Sequence, residues 1–179
     1  MKVRSVGGLL AAAWAMSAGA ADISAGDKLQ TLSNLHPDKN VIRAINYQLP
    51  GRIPVCAEIT VQKVSKSALV FEYSGAEYQF VLDKHTKSAG VTLQEAAQAY
   101  FGPKCAEAKM KSLSKLDQDG IATGRARAGM TRQGVLYALG RPPFHANPNL
   151  DSPEWLYWRN RFGKLAVQFD EKGNVTSVR

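Results

Sequence analysis

The sequence predicts an α+β protein, with a small antiparallel β-barrel-like module in its N-terminal half and a helix followed by three strands at its C-terminal end. Three observations predict it. Short alternating apolar runs joined by tight-turn signals occupy residues 41–82. A single capped helical pattern follows at 92–101. From residue 129 the order becomes helix, strand, strand, strand.

Residues 1–20 stand apart. Lys2 and Arg4 make a basic start, Val6 to Ala15 is an apolar or small-residue run, and Ala18-Gly19-Ala20 presents small residues to a signal peptidase. This reads as a secretory signal peptide cleaved after Ala20 or Ala21. The run is shorter than the roughly 20 apolar residues a membrane span needs, and no later run is long and apolar enough. With no cysteine near the cleavage point, a lipid-anchored form is not expected. Residues 22–40 are polar, with turn signals at Ser33-Asn34 and His36-Pro37-Asp38. They read as an extended leader with a short helix around 27–32.

Regular structure is expected from Val41 to Tyr47, ending at Pro50-Gly51. In 55–64, Val55, Ala57, Ile59 and Val61 alternate with polar neighbours, the pattern of a half-buried strand. Strands 68–73 and 77–82 flank the hairpin signal Ser74-Gly75. Thr92-Leu93-Gln94-Glu95 is a capping box, in which the hydroxyl and the carboxylate each satisfy the other residue's backbone donor. Leu93, Ala96, Ala97, Tyr100 and Phe101 follow at helical spacing, and Gly102-Pro103 stops the helix. Leu113, Leu116 and Ile121 suggest a short amphipathic helix. The Gly-, Ala- and Arg-rich stretch 120–129 reads as a boundary. Thr131 is a natural N-cap, Val135, Leu136 and Leu139 form an apolar stripe, and Gly140 ends the helix before Arg141-Pro142-Pro143. Strands 154–159, 165–169 and 175–178 complete the chain, with Asp170 to Asn174 as a hairpin turn.

The expected organisation is a signal peptide at 1–20, a β module with a C-terminal helix at 40–105, and a second domain at 113–179. Removing Lys2 and Arg4 takes the formal net charge from +8 to +6. Such an excess suits anionic partners or simply solubility, and export argues against nucleic acid. Cys56 and Cys105 are the only cysteines. In an oxidising compartment one disulfide between them is the economical reading, against two buried thiols. It would pin the end of the 92–101 helix onto the second strand.

Catalytic chemistry is hard to place. His36, His85 and His145 lie in separate loops without ligand spacing, so no zinc site is expected. Asp170, Glu171 and Asn174 beside Gly173 lack EF-hand spacing, and a disulfide would remove Cys56 as a nucleophile. A hydrolase finds no constellation here, and no catalytic residue, metal or cofactor is expected. Contact chemistry is better represented, in Trp155, Tyr157 and Trp158 with Arg159 and Arg161. Strand parity places Trp155 and Tyr157 on one face and Leu156 and Trp158 on the other. One pair should cover the core while the other joins the arginines as a contact surface. Arg125, Arg127, Arg132 and Arg141 read either as a basic cluster or as scattered charge on a solvated linker.

Gly129-Met130-Thr131, Val135, Leu139-Gly140-Arg141-Pro142, Trp155-Leu156-Tyr157 and Val167-Gln168-Phe169 before Gly173-Asn174-Val175 resemble the SmpA/OmlA (BamE-like) domain of Gram-negative envelope proteins. The resemblance covers about the last third of the chain. It implies two helices, near 113–123 and 131–139, packed on a three-stranded antiparallel sheet. It also implies a non-enzymatic role in outer-membrane protein assembly. The N-terminal strand region is an addition to that pattern and resembles an SH3-like barrel. The expected function is therefore an exported, non-enzymatic protein-binding or assembly module, periplasmic or secreted and associated with the outer membrane. Its partners would be envelope proteins, anionic lipid or peptidoglycan. The alternative is cell-wall binding through the SH3-like module.

Overall fold

In a computed structural model that describes residues 21–179, buried apolar side chains gather in two clusters, each under its own sheet. The expected signal peptide at 1–20 lies outside the described residues. The first sheet has six strands: β1 (Lys28–Thr31), β2 (Val41–Arg43), β3 (Glu58–Val64), β4 (Ala68–Tyr73), β5 (Ala76–Val81) and β6 (Phe101–Gly102). Their spatial order is β2-β5-β4-β3-β1-β6. Alternation decides which side is buried, and Ala57, Ile59, Val61, Leu69, Phe71 and Phe80 all face the core. The hairpin turn falls where Ser74-Gly75 marked it, and both residues have positive φ (51° and 76°), the twist that suits a two-residue β-turn. A bulge between Val61 and Lys63 in β3 helps the sheet curl.

Three expectations change here. The 27–32 segment is strand β1, paired with β3 and β6, so the sheet begins at Lys28 rather than near residue 40. Cross-strand hydrogen bonds outweigh the weak helical pattern of so short a segment. Strand β2 runs parallel to β5, whereas an all-antiparallel module was expected. No hairpin joins β2 to β3; the chain between them leaves the sheet, and its Ile53 bridges back to Leu35, which precedes β2. The third change concerns the capped helix, α2 (Leu93–Gln98), which stops short of Phe101 because Phe101-Gly102 pairs with β1. Its capping box forms as read: the Glu95 N–H donates to Thr92 Oγ1 at 3.2 Å and the Thr92 N–H donates to Glu95 Oε2 at 2.8 Å. A short helix α1 (Lys84–Ser88), capped by Asp83, was not foreseen.

Cys56 and Cys105 form the disulfide, with their Cα atoms 5.3 Å apart. The bridge ties the start of β3 to the segment entering α3 (Glu107–Lys111).

The second cluster lies between a helix pair, α4 (Lys115–Thr123) and α5 (Arg132–Leu139), and the antiparallel sheet β7 (Glu154–Trp158), β8 (Lys164–Phe169), β9 (Val175–Val178). This is the α+β arrangement the sequence predicts. Residues 120–129 do not mark a boundary, since 120–123 lie inside α4 and 124–129 turn the chain into α5. A Cβ at Gly120 would stand 2.4 Å from the Met130 side chain and 2.9 Å from the Arg125 carbonyl oxygen, so this close approach requires glycine.

Asp117 joins the two helix starts. Ser114, the N-cap of α4, exchanges hydrogen bonds with it: the Asp117 N–H donates to Ser114 Oγ, and that hydroxyl donates to Asp117 Oδ2. Asp117 Oδ1 accepts from the N–H of Thr131, the N-cap of α5, at 2.8 Å. Thr131 Oγ1 in turn accepts from the Gly134 N–H.

The far end of α5 is capped by side chains from the N-terminal half. Asn34 Nδ2 donates to the carbonyls of Ile121 and Ala138 at 2.8 and 3.0 Å. Asn46 Nδ2 donates to Leu139 and Arg141, both at 2.8 Å, and the Tyr157 hydroxyl donates to Gly140. At the end of α5 the carbonyls of Ala138 and Leu139 have no partner within their own helix, so the two halves are joined by satisfying them. Gly140, with φ of +78°, sits where a Cβ would meet Ser33 Oγ and Tyr100 Cε1, each at 3.0 Å.

Candidate functional site

Parity divides the aromatic strand β7 as expected and settles which pair is inside. Trp155 is 1% exposed and Tyr157 is 0%. Trp155 packs edge-on against Phe169 with ring centroids 4.6 Å apart, and its indole N–H donates to the Leu150 carbonyl. These two residues therefore leave the expected contact surface. Their rings fill the space between sheet and helices, where burial of large aromatic area contributes most. Burial raises the Tyr157 hydroxyl well above its ordinary pKa, with Tyr100 adding to the effect.

Trp158 is half-buried. Its ring lies 5.2 Å from that of His145, which stacks on His85 at 5.3 Å. Two of the three histidines assigned to separate loops, His85 and His145, are thus neighbours in space, though the described residues contain no group of three ligands suited to a metal. On its backbone side, Trp158 accepts from the Gln48 N–H at 2.8 Å, so the β7 edge is closed by the N-terminal half.

Arg159 and Arg161 are exposed, on the hairpin between β7 and β8. Asn160 braces that turn: its Oδ1 accepts from the N–H groups of Phe162 and Gly163, both at 2.9 Å, and the Arg159 N–H donates to the Gly163 carbonyl. The turn presents Phe162, 87% exposed and the one large hydrophobic so exposed among the described residues. An aromatic residue within a polar turn was the available signal for it, and strand patterning had passed over it.

The other arginines scatter. Arg132 lies over Phe169 at 4.2 Å and Trp155 at 5.4 Å and donates to the carbonyls of Leu150 and Ser152. Arg141 covers Phe144. Both are packing cations rather than members of a basic patch.

A cleft of about 610 Å³ opens where the halves meet, beside the capped end of α5. Its walls include His36, Gln48, Arg52, Arg125, Arg159 and Val178. Past His36 and Leu49 it continues into a hollow of about 400 Å³, bordered by Asp38, Arg43, Tyr47, Arg161 and Phe162. Burial pushes the His36 imidazole below its ordinary pKa, and Arg52 adds to this against the opposing carbonyls of Leu49, Ala138 and Gly51. Sequence patterning could not find this site, because its residues come from segments far apart in the chain.

No curated protein and no solved structure matches the chain. A family model does: the outer membrane protein assembly factor BamE domain, over residues 122–179. The matched segment runs from the end of α4 through α5 and the whole three-stranded sheet, and includes none of the six-stranded sheet. The C-terminal third of this chain is thus similar to the BamE domain, the SmpA/OmlA-like unit its motifs resemble.

Proposed function

We propose that this protein is a non-enzymatic, exported assembly factor of the bacterial envelope that holds a protein partner through the β7–β8 hairpin. The carrying observation is Phe162, 87% exposed on an Asn160-braced turn between Arg159 and Arg161. A rigid aromatic flanked by guanidinium groups is typical of residues that dominate protein interfaces, because little side-chain entropy is lost on docking. The BamE domain supports an assembly role, and that role names protein partners in the outer membrane rather than a substrate. No helix among the described residues is long and apolar enough to cross a membrane.

A photo-crosslinking residue at position 162, in the full chain expressed in its own envelope, tests the reading. One discrete adduct is expected, and it should disappear with Arg161→Glu while the urea midpoint of the purified variant stays unchanged. Absence of any adduct, or equal adducts from position 162 and from a control such as Lys66 on the opposite sheet, would overturn it.

A further inference from the structure

We propose that the cleft between the two halves binds an extended, acidic peptide segment of a protein partner. The inference deepens the binding role proposed above and shares with it only Arg159. Three observations carry it.

The first is charge. Arg52, Arg125 and Arg159 line the cleft, and no carboxylate lies within ion-pairing distance of any of them among the described residues. The guanidinium of Arg52 is held against the Ala122 carbonyl, while those of Arg125 and Arg159 make no hydrogen bond to any of the described residues. Three unpaired cations around one concavity attract anions and disfavour cationic ligands. The sole acidic lining residue, Asp38, stands in the adjoining hollow.

The second is a pair of buried acceptors. His36 is only 7% exposed, and its Nε2 has no hydrogen-bond partner. Its Nδ1 stands 3.2 Å from the Leu49 carbonyl, and the tautomer that donates to that oxygen leaves Nε2 as a lone pair. Gln48 Oε1 is likewise buried without a partner, its amide nitrogen being committed to Asn46 and Leu139. Both groups need donors. A bare phosphate or carboxylate would satisfy the arginines and leave these acceptors empty, whereas a polypeptide brings acidic side chains and N–H groups together.

The third is a backbone edge. Ala166 and Arg179 exchange both of their backbone hydrogen bonds, so the next pair, Val167 and Val178, is a non-bonded one. The N–H and C=O of Val178 therefore point away from β8, at the outer edge of a sheet whose Val178 lines the cleft. An extended chain can pair there at Val178, the Val175 end of the same edge being already bonded to Gly129 and Met130.

The test is selection of random peptides displayed on phage against the full mature chain with its disulfide intact. Enrichment in Asp and Glu is expected. The enriched peptide, fluorescently labelled, should bind the Arg125→Glu, Arg159→Glu double variant about tenfold or more weakly than wild type. Both side chains are exposed, so the urea midpoint of that variant should match wild type. Phosphate and phosphatidylglycerol vesicles should displace the peptide no better than sodium chloride of equal ionic strength. No enrichment, enrichment without acidic residues, equal binding to the double variant or preferential displacement by vesicles would overturn the inference. A chain that still crosslinks through position 162 after any of these results would retain its hairpin role and lose only the peptide cleft.

Discussion

Gly134 and Asp117 should behave as a single unit, and the geometry fixes the sign of their coupling. A Cβ placed on Gly134 would stand 2.0 Å from Asp117 Oδ1, 2.6 Å from its Cγ and 3.0 Å from its Cβ. Asp117 is fully buried and holds the Thr131 N–H, so it can yield only by abandoning that donor. Gly134→Ala gains about 1 kcal/mol of helix propensity. Against this stand about 1–3 kcal/mol for a buried donor left unsatisfied and about 1 kcal/mol for an off-rotamer side chain. The expected net effect is destabilisation by about 1–3 kcal/mol. Asp117→Ala loses the same acceptor and costs about 2–4 kcal/mol. In that background the obstruction is gone, so adding Gly134→Ala should be neutral or stabilise by up to about 1 kcal/mol. The interaction energy is then about 1–4 kcal/mol in the sense of less-than-additive damage. Urea unfolding of the four proteins in the cycle, followed by the fluorescence of Trp155 and Trp158, measures it. Additivity within about 0.5 kcal/mol, or a stabilising Gly134→Ala single variant, would refute the reasoning.

Burial depresses the His36 and His145 imidazoles, with Arg52 adding to the effect at His36 and His85 at His145, where Asp83 opposes it. Since the unfolded chain takes up protons more readily than the native one near their ordinary value of 6.5, stability should be full above that pH and fall as the pH drops through it. Urea midpoints at about pH 7.5 and about pH 5.5 check this, and equal midpoints would sink it. Removing the disulfide as Cys56→Ser, Cys105→Ser opens a link spanning 49 residues. A loss of about 2–4 kcal/mol is expected, and an unchanged unfolding free energy would contradict the structural role assigned to the bridge.

The C-terminal unit was legible because its determinants are local. Thr131 caps α5, Gly140 ends it at positive φ, and the period-two strands were located within a residue or two. The capping box of α2 and the hairpin at Ser74-Gly75 are likewise contained in four residues or fewer. Segments whose conformation depends on remote partners were not legible. Residues 28–31 become a strand only because β3 and β6 flank them. Asn34 and Asn46 look like turn residues, yet they cap a helix whose last carbonyls lie some hundred positions away in the chain. Of the expected contact residues, Trp158, Arg159 and Arg161 reach the surface, while Trp155 and Tyr157 belong to the core.

The sequence alone sufficed for the α+β class, the N-caps of α2 and α5, the hairpins, the pairing of the only two cysteines and the family resemblance of the last third. Each depends on neighbouring residues, on composition or on a motif. Only the tertiary structure decided which face of β7 is buried, how the end of α5 joins the two halves, and that His36, Arg52, Arg125 and Arg159 share one cleft. Those outcomes require long-range packing and the satisfaction of buried polar groups, and no periodicity within a segment records either.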